Sequence, residues 1–385
     1  MHLFGAWTDG DAGATFDIRQ HLTYKPPGHC RTASGTGHHE NRLETGDPLK
    51  KWLVIGIVTV CLAGIVAAAV AVDLNRYART PLVLPAPDVQ PALVTISPGD
   101  GFRTIARRLA ASGLIRSPLR FRLLARFNGQ DRRVKSGEYR LSPAQSPRDI
   151  LAALVAGKVV LYRLTLPEGY TLRQMAGAVD AAGLAPADEF LKVAADPGLI
   201  RSLKIDADSL EGYLFPDTYA FPRTVTPETI IRTQVRRLRA VFTPAWQAAA
   251  KAAGLSVHQV LTLASIIEKE TGDPGERPLI SSVFHNRLKK GMRLQSDPTV
   301  IYGIADFNGN LTRRDLRTPG PYNTYLNTGL PPGPIANPGA ASIRAALFPA
   351  QTAYLFFVAK KNGTHQFSTT LTAHLRAVRK YQLKH

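Results

Sequence analysis

Twenty-one consecutive residues, Trp52 to Val72, carry no charge and are mostly apolar. A run of this kind constrains the fold more than any other part of the chain. At about 1.5 Å per residue, a helix of that length spans the roughly 30 Å hydrocarbon core of a bilayer. Ala69-Val70-Ala71 resembles a signal-peptidase box, but the run is longer than the roughly 7–15 apolar residues of a signal peptide and starts far from the N-terminus. The sequence therefore predicts an uncleaved anchor over residues 50–73. Arg42, Lys50 and Lys51 before it outnumber Arg76 and Arg79 after it, which favours a cytoplasmic N-terminus and an extracytoplasmic remainder.

The 385 residues divide around this anchor. Residues 1–49, with a Gly/His-rich stretch that includes His38 and His39, lack periodicity and read as a disordered cytoplasmic tail. Pro81, Pro85, Pro87 and Pro91 make residues 74–91 a stiff, extended linker. Net charge is +19, and the first 51 residues hold six charges of each sign, so the excess belongs to the rest. A basic surface suits anionic lipid or an acidic polymer. No zinc-finger spacing, aromatic RNA-binding motif or P-loop is present, which argues against nucleic acid. Cys30 lies in the tail and Cys61 in the apolar run, leaving no thiol chemistry or disulfide for the remainder.

Beyond the linker lies an internal repeat. Thr95–Leu114 aligns with Thr165–Leu184 at a constant offset of 70, with seven of twenty positions identical, among them Gly99/Gly169, Ala106/Ala176 and Gly113/Gly183. Each copy reads as a strand, a glycine turn and a helix ending at a glycine. After the first copy a second helix (118–127) and a strand (137–141) are expected. This β-α-α-β order over residues 92–158 resembles a LysM module, a small glycan-binding fold. A packing platform without a ligand is the alternative.

Residues 159–385 read as a mixed α+β domain, so the fold class is α+β throughout, behind one transmembrane helix. Its centre is Ser256–Gly303. Ser256 and Gln259 form a capping box, and Val257, Val260, Leu261, Ala264 and Ile267 share one helix face. Glu268 falls on that apolar stripe, while Glu270 projects to the far rim. A carboxyl on an apolar face loses hydration and tends to keep its proton, as a general acid requires. A second helix with Leu279, Val283, Phe284 and Leu288 leads to Gly291, and Met292–Gly303 reads as an irregular polar turn. Residues 206–222 mix aromatic and acidic side chains, a combination that can grip a sugar or simply fill a core. Thr226–Phe242 reads as a basic amphipathic helix, and Tyr354–Val358 as a strand before a hairpin at Gly363.

Five blocks carry a resemblance: LASIIEKET, VFHNRLKKGMRLQSDPTVIYG, EGYLFPDTYAFP, YNTYLNTGLPPGPIANPG and YLFFVAKKNGTHQFSTTLTAH. They resemble, in order, the signature blocks of the endolytic murein transglycosylase family, the YceG-like proteins, whose members are described as carrying a LysM-like subdomain. The resemblance implies a lytic enzyme of peptidoglycan that cuts between N-acetylmuramic acid and N-acetylglucosamine, leaves 1,6-anhydro ends and terminates nascent strands. It places the catalytic carboxyl at Glu268, the first residue of EKET. It moves Glu211, Tyr213, Asp217 and Tyr219 toward the cleft. Asn286, Gln295, Ser296 and Asp297, and again Asn323, Thr324 and Tyr325, offer amides and hydroxyls suited to N-acetyl and hydroxyl groups, or to holding turns; His365 has the same two readings.

The implied partners are glycan strands, the cytoplasmic membrane and peptidoglycan synthases. No cofactor is expected, since a pyridoxal-phosphate enzyme would need a phosphate cradle, and no metal-ligand spacing such as HExxH appears. A non-catalytic wall-binding scaffold is the alternative function; it would keep the anchor and repeat without needing Glu268.

Overall fold

The computed structural model describes residues 48–383. The tail before Pro48, with His38, His39 and Cys30, lies outside the described residues. Among the described residues the strands form three separate antiparallel pairs, each covered by its own helices.

Helix α1 (Pro48–Arg79) contains the apolar run and is long and apolar enough to cross a membrane. It does not end where the polar residues begin. Leu74, Tyr77 and Ala78 recur at helical spacing and are buried in the first core. The expected boundary at residue 73 is therefore corrected, because the last two turns of the anchor belong to the module beyond it. The proline-rich stretch also behaves differently from a free spacer. Leu82 and Val83 donate their N–H groups to Pro143 O at 3.0 and 3.2 Å, and Arg116 donates to Leu82 O at 3.3 Å. Prolines leave few N–H groups to satisfy, so this stretch lies along the module surface with little hydrogen-bond demand.

The module contains β1 (Ala92–Ile96), α2 (Phe102–Ala111), α3 (Pro118–Phe127) and β2 (Gly137–Leu141), in the order expected. The strands pair from Ala92↔Leu141 to Ile96↔Gly137. A third helix, α4 (Pro147–Ala156), closes the core with Ile150, Leu151 and Leu154. Ser146 caps it by accepting from Asp149 N–H.

The repeat is structural as well as sequential. β3 (Tyr162–Thr165) and α5 (Leu172–Ala181) stand 70 residues after β1 and α2, helix boundary for helix boundary. The turn glycines Gly99 and Gly169 have φ of 86° and 75°, a conformation that favours glycine, so the same turn is built twice. The second copy enters a different core with α6 (Ala187–Ala194), α7 (Pro197–Ser202), β4 (Thr218–Phe221) and α8 (Pro227–Val241), and β3 pairs with β4.

The third core is built from α9 (Pro244–Ala252), α10 (Val257–Glu270), α11 (Arg277–Lys289) and α13 (Ala340–Leu347), with α12 (Asp297–Tyr302) beside it. β5 (Phe356–Ala359), β6 (His365–Ser368) and α14 (Leu371–Tyr381) complete the chain. Every residue of α10 from Val260 to Ile267 is buried, whereas Val257 is exposed. The helix is thus enclosed on all sides, and the single apolar stripe read from the sequence is too narrow. Its polar face is covered because Ser265 Oγ donates to Thr262 O at 2.8 Å and accepts from Ile335 N–H at 3.0 Å. The stretch Met292–Gly303, read as irregular, contains α12, with Pro298 in its first turn where a missing N–H costs nothing.

Candidate functional site

Glu268 sits in the last turn of α10 with its side chain only 6% exposed. Its oxygens are held by two donors. Arg277 Nη2 lies 3.1 Å from Oε1, and Gly339 N–H donates to Oε2 at 2.9 Å. Gly339 is the N-cap of α13, so the carboxyl also faces the positive end of a helix. The surroundings are therefore more polar than the stripe implied: a guanidinium and an amide replace the purely apolar pocket. Arg277 is buried, and its Nε has no hydrogen-bond partner among the described residues, leaving one spare donor in the site.

A second carboxyl completes the arrangement, and sequence reasoning missed it. Glu168 lies on the β3–α5 turn, beside Gly169, where an added Cβ would stand 3.4 Å from Glu268 Cγ. Glu168 Oε2 is 3.9 Å from the same Arg277 Nη2. One guanidinium nitrogen thus stands between two carboxyls, 3.1 Å from Glu268 and 3.9 Å from Glu168. Glu168 is open where Glu268 is closed, with 48% of its side chain exposed. Partial burial pushes its carboxyl above the usual range, the Glu268 charge adds to that, and Arg277 opposes both. A methyl group on Gly339 would collide with the Glu168 carboxyl, so the glycine admits this approach. The one available signal was the repeat itself, because the first copy has Pro98 where the second has Glu168.

Glu270 departs from its expected place on an exposed rim. Its carboxyl is enclosed and pushed up to about 7, chiefly by burial; the Ser296 hydroxyl that donates to it lowers the value, Asp297 raises it and Arg287 lowers it. Several candidates from the sequence gather here. Gln295 N–H donates to Thr324 O at 3.1 Å, Ser296 N–H to Thr324 Oγ1 at 3.0 Å, and Tyr325 Oη to Asp297 Oδ1 at 2.5 Å. Gln295 takes a left-handed φ of 51° to make this turn. These five residues form one network around Glu270; none of their hydrogen bonds reaches Glu268.

The other candidates make hydrogen bonds within the protein. Asn286 Nδ2 donates to Thr352 O and Tyr354 O at 2.9 Å each, stapling α11 to the chain before β5. Asn323 Nδ2 donates to Leu316 O and Thr318 O at 3.1 and 2.8 Å. Tyr213 is buried with its hydroxyl 2.9 Å from His258 Nδ1. Tyr219 donates to Phe215 O at 2.6 Å, and Asp217 pairs with Arg237 at 2.7 Å. In the structure the two aromatic rings are buried in cores and the Asp217 carboxylate braces α8. His365 turns to Glu276, Nδ1 to Oε2 at 2.6 Å, and so secures the residue next to Arg277.

Glu211 is a strut. Its carboxyl accepts from Leu172 N–H at 2.9 and 3.0 Å, from Asn337 Nδ2 at 2.9 Å and from Tyr302 Oη at 3.3 Å. It joins the start of α5 to the 335–339 loop and α12. Burial pushes it up to about 7, against the hydrogen bonds that lower it. The unfolded chain releases this proton near the usual carboxyl value while the folded chain keeps it, so stability falls as pH rises toward 7 and then levels. The shift corresponds to about 3 kcal/mol per group, with Glu270 acting in the same direction. Thermal unfolding in neutral detergent should give a Tm that declines from pH 5 to 7, and Glu211→Gln should flatten the decline. A Tm that rises over that interval would contradict this account.

Comparison with known proteins places these residues in context. A model of the YceG-like family matches residues 94–380. The endolytic murein transglycosylase of Bacillus subtilis (strain 168) is 35% identical over 304 residues, covering 75% of this chain and 84% of that protein. The protein of the same name from Streptococcus pneumoniae serotype 2 is 32% identical over 297 residues, 69% of this chain and 54% of the longer pneumococcal one. The crystal structure of a yceG-like protein from Listeria monocytogenes is 36% identical, with a TM-score of 0.52 over 75% of this chain and 99% of that one. Glu168, Glu268, Arg277 and Gly339 all lie inside the family match.

Proposed function

This chain belongs to the YceG-like family, and from that premise we propose that it is a membrane-anchored endolytic transglycosylase of peptidoglycan, with Glu268 as its catalytic carboxyl. The observation that carries the assignment is the Glu268–Arg277–Glu168 cluster, in which one buried and one open carboxyl share a guanidinium. Burial first and the neighbouring Glu268 second push the Glu168 carboxyl up, against Arg277, which favours a proton held on Glu168 beside Glu268.

In the first step the pair's proton passes through Glu268 to the oxygen linking muramic C1 to the next sugar, and the C1–O bond breaks. Positive charge developing at C1 is met by the carboxylates. The muramic C6 oxygen then bonds to C1, and its proton returns to Glu268. A 1,6-anhydro ring forms, no water is consumed, and the site ends in its starting protonation state. Arg277 and Gly339 N–H hold Glu268 in place between the two transfers. α1 fixes the reaction beside the membrane, with the N-terminus cytoplasmic and the site extracytoplasmic. The β1–β2 module, LysM-like in its element order, is the natural place for a strand to rest, and synthases extruding nascent strands are the partners this location serves.

Digestion of purified sacculi by the full chain in water enriched with heavy oxygen tests the reaction. Product ends should be 1,6-anhydro-muramic acid without label. Reducing ends carrying the label would mean hydrolysis, with Glu168 activating water, and would overturn the lytic assignment.

A further inference from the structure

The small module meets the anchor helix in a graded way. Tyr77 Oη donates to Ser117 O at 3.0 Å just before α3 begins. One turn into α3, Arg120 lies 3.3 Å from Asp73. At the far end, Leu124, Phe127 and, from α4, Arg148 face Ala67, Val70 and Ala71 across a groove of about 940 Å³. These three contacts make α3 run antiparallel down α1, so its C-terminal end stands beside residues before Asp73.

That level belongs to the hydrocarbon. Residues 52–72 are only just long enough to span it, so Ala67–Ala71 cannot be lifted into water without shortening the span below bilayer thickness. Phe127 therefore stands about 5–9 Å below Asp73 along the helix axis. Its side chain is 71% exposed, and Leu123, one turn above it, is exposed as well. Water is not the solvent at that depth.

Charge fits the same surface. Residues 92–158 hold thirteen Lys+Arg against four Asp+Glu. Arg126, Arg132, Arg133 and Arg148 are exposed around the end of the module that carries Phe127. An apolar tip rimmed by arginines matches the boundary between acyl chains and phosphates.

We propose that the α3 end of the module is seated in the membrane leaflet adjoining the C-terminal end of α1, with Phe127 among acyl chains, the groove occupied by phospholipid and the arginines on lipid phosphates. The seating adds a second membrane contact to the anchor. It rests on α1 crossing the bilayer, and the test separates the two.

The full chain, with Cys30 replaced by serine, is reconstituted in vesicles of phosphatidylglycerol and phosphatidylcholine. Single fluorescent labels are placed at native Cys61, at Phe127→Cys, at Leu123→Cys and at Leu119→Cys, the last three with Cys61→Ala. None of these three side chains belongs to the buried core of the module. Quenching by lipid-borne and by water-soluble quenchers is compared. The proposal expects position 127 to be quenched several-fold more by the lipid-borne quencher, with 123 intermediate and 119 favouring the aqueous one. Removing phosphatidylglycerol should make 127 shallower. If Cys61 is lipid-quenched while 127 and 119 are equally aqueous, the seating is overturned and the anchor stands. If Cys61 is aqueous too, the anchor falls and the seating with it. Protection of 127 from both quenchers would mean a glycan strand or a second copy fills the groove, and would also overturn it.

Discussion

Glu268→Gln is expected to abolish nearly all release of anhydro-muropeptides from sacculi and to lower Tm less than loss of Arg277 does, because Arg277 keeps Glu168 as a counter-charge. Glutamine keeps the shape and can still accept from Gly339 N–H, but it neither gives nor regains a proton. General acid–base catalysis is worth about 10²–10⁴ in rate, and here one group serves both transfers, so the loss should lie at the upper end. The measurement is turnover on purified sacculi beside a binding assay on the same material. Binding that survives while turnover vanishes fits the assignment. A variant retaining a tenth or more of the rate would remove Glu268 from the chemistry and turn attention to the enclosed Glu270.

The second large effect is expected at Arg277. Breaking a buried pair by removing one partner typically costs about 3–5 kcal/mol, because the other charge is left without compensation. Arg277→Met should therefore lower Tm strongly and slow turnover. A merely structural loss would stop there, so the pH profile decides. Without the guanidinium, which opposes the upward push on Glu168, that carboxyl holds its proton more tightly, and the alkaline limb of activity should move to higher pH. Adding Glu168→Gln to Arg277→Met removes the titrating group, so the shift should disappear in the double variant. An unmoved limb in Arg277→Met, or the same shift without Glu168, would refute this role of Arg277.

The contrast between residues read correctly and misplaced ones has a physical cause. Local signals were legible: the apolar run, the repeat with its turn glycines, and the Ser256–Gln259 capping box all depend on neighbours within a few residues. The helix at 118–127 and the strand at 137–141 were readable for the same reason. Glu268 was singled out by a resemblance and a helix wheel, although the wheel underestimated how completely α10 is enclosed. What the wheel could not supply was long-range approach. Glu168, Arg277 and Gly339 reach Glu268 from a turn, a helix start and a helix cap distant in sequence. The aromatic and acidic run from Glu211 to Phe221 left two readings open because the same composition serves a sugar cleft and a core. Tyr219 and Glu211 are consumed by internal hydrogen bonds that only the fold reveals. Gln295, Ser296, Asp297, Thr324 and Tyr325 do converge, yet on Glu270.

The burial of Leu74, Tyr77 and Ala78 makes the last two turns of α1 part of the first core rather than a stalk beneath it. Side chains there answer to two demands at once, helix register and module packing, so a substitution at any of the three is felt as a loss of core and not as a change of linker. Tyr77 carries a third demand, since its hydroxyl also holds Ser117 O at the start of α3.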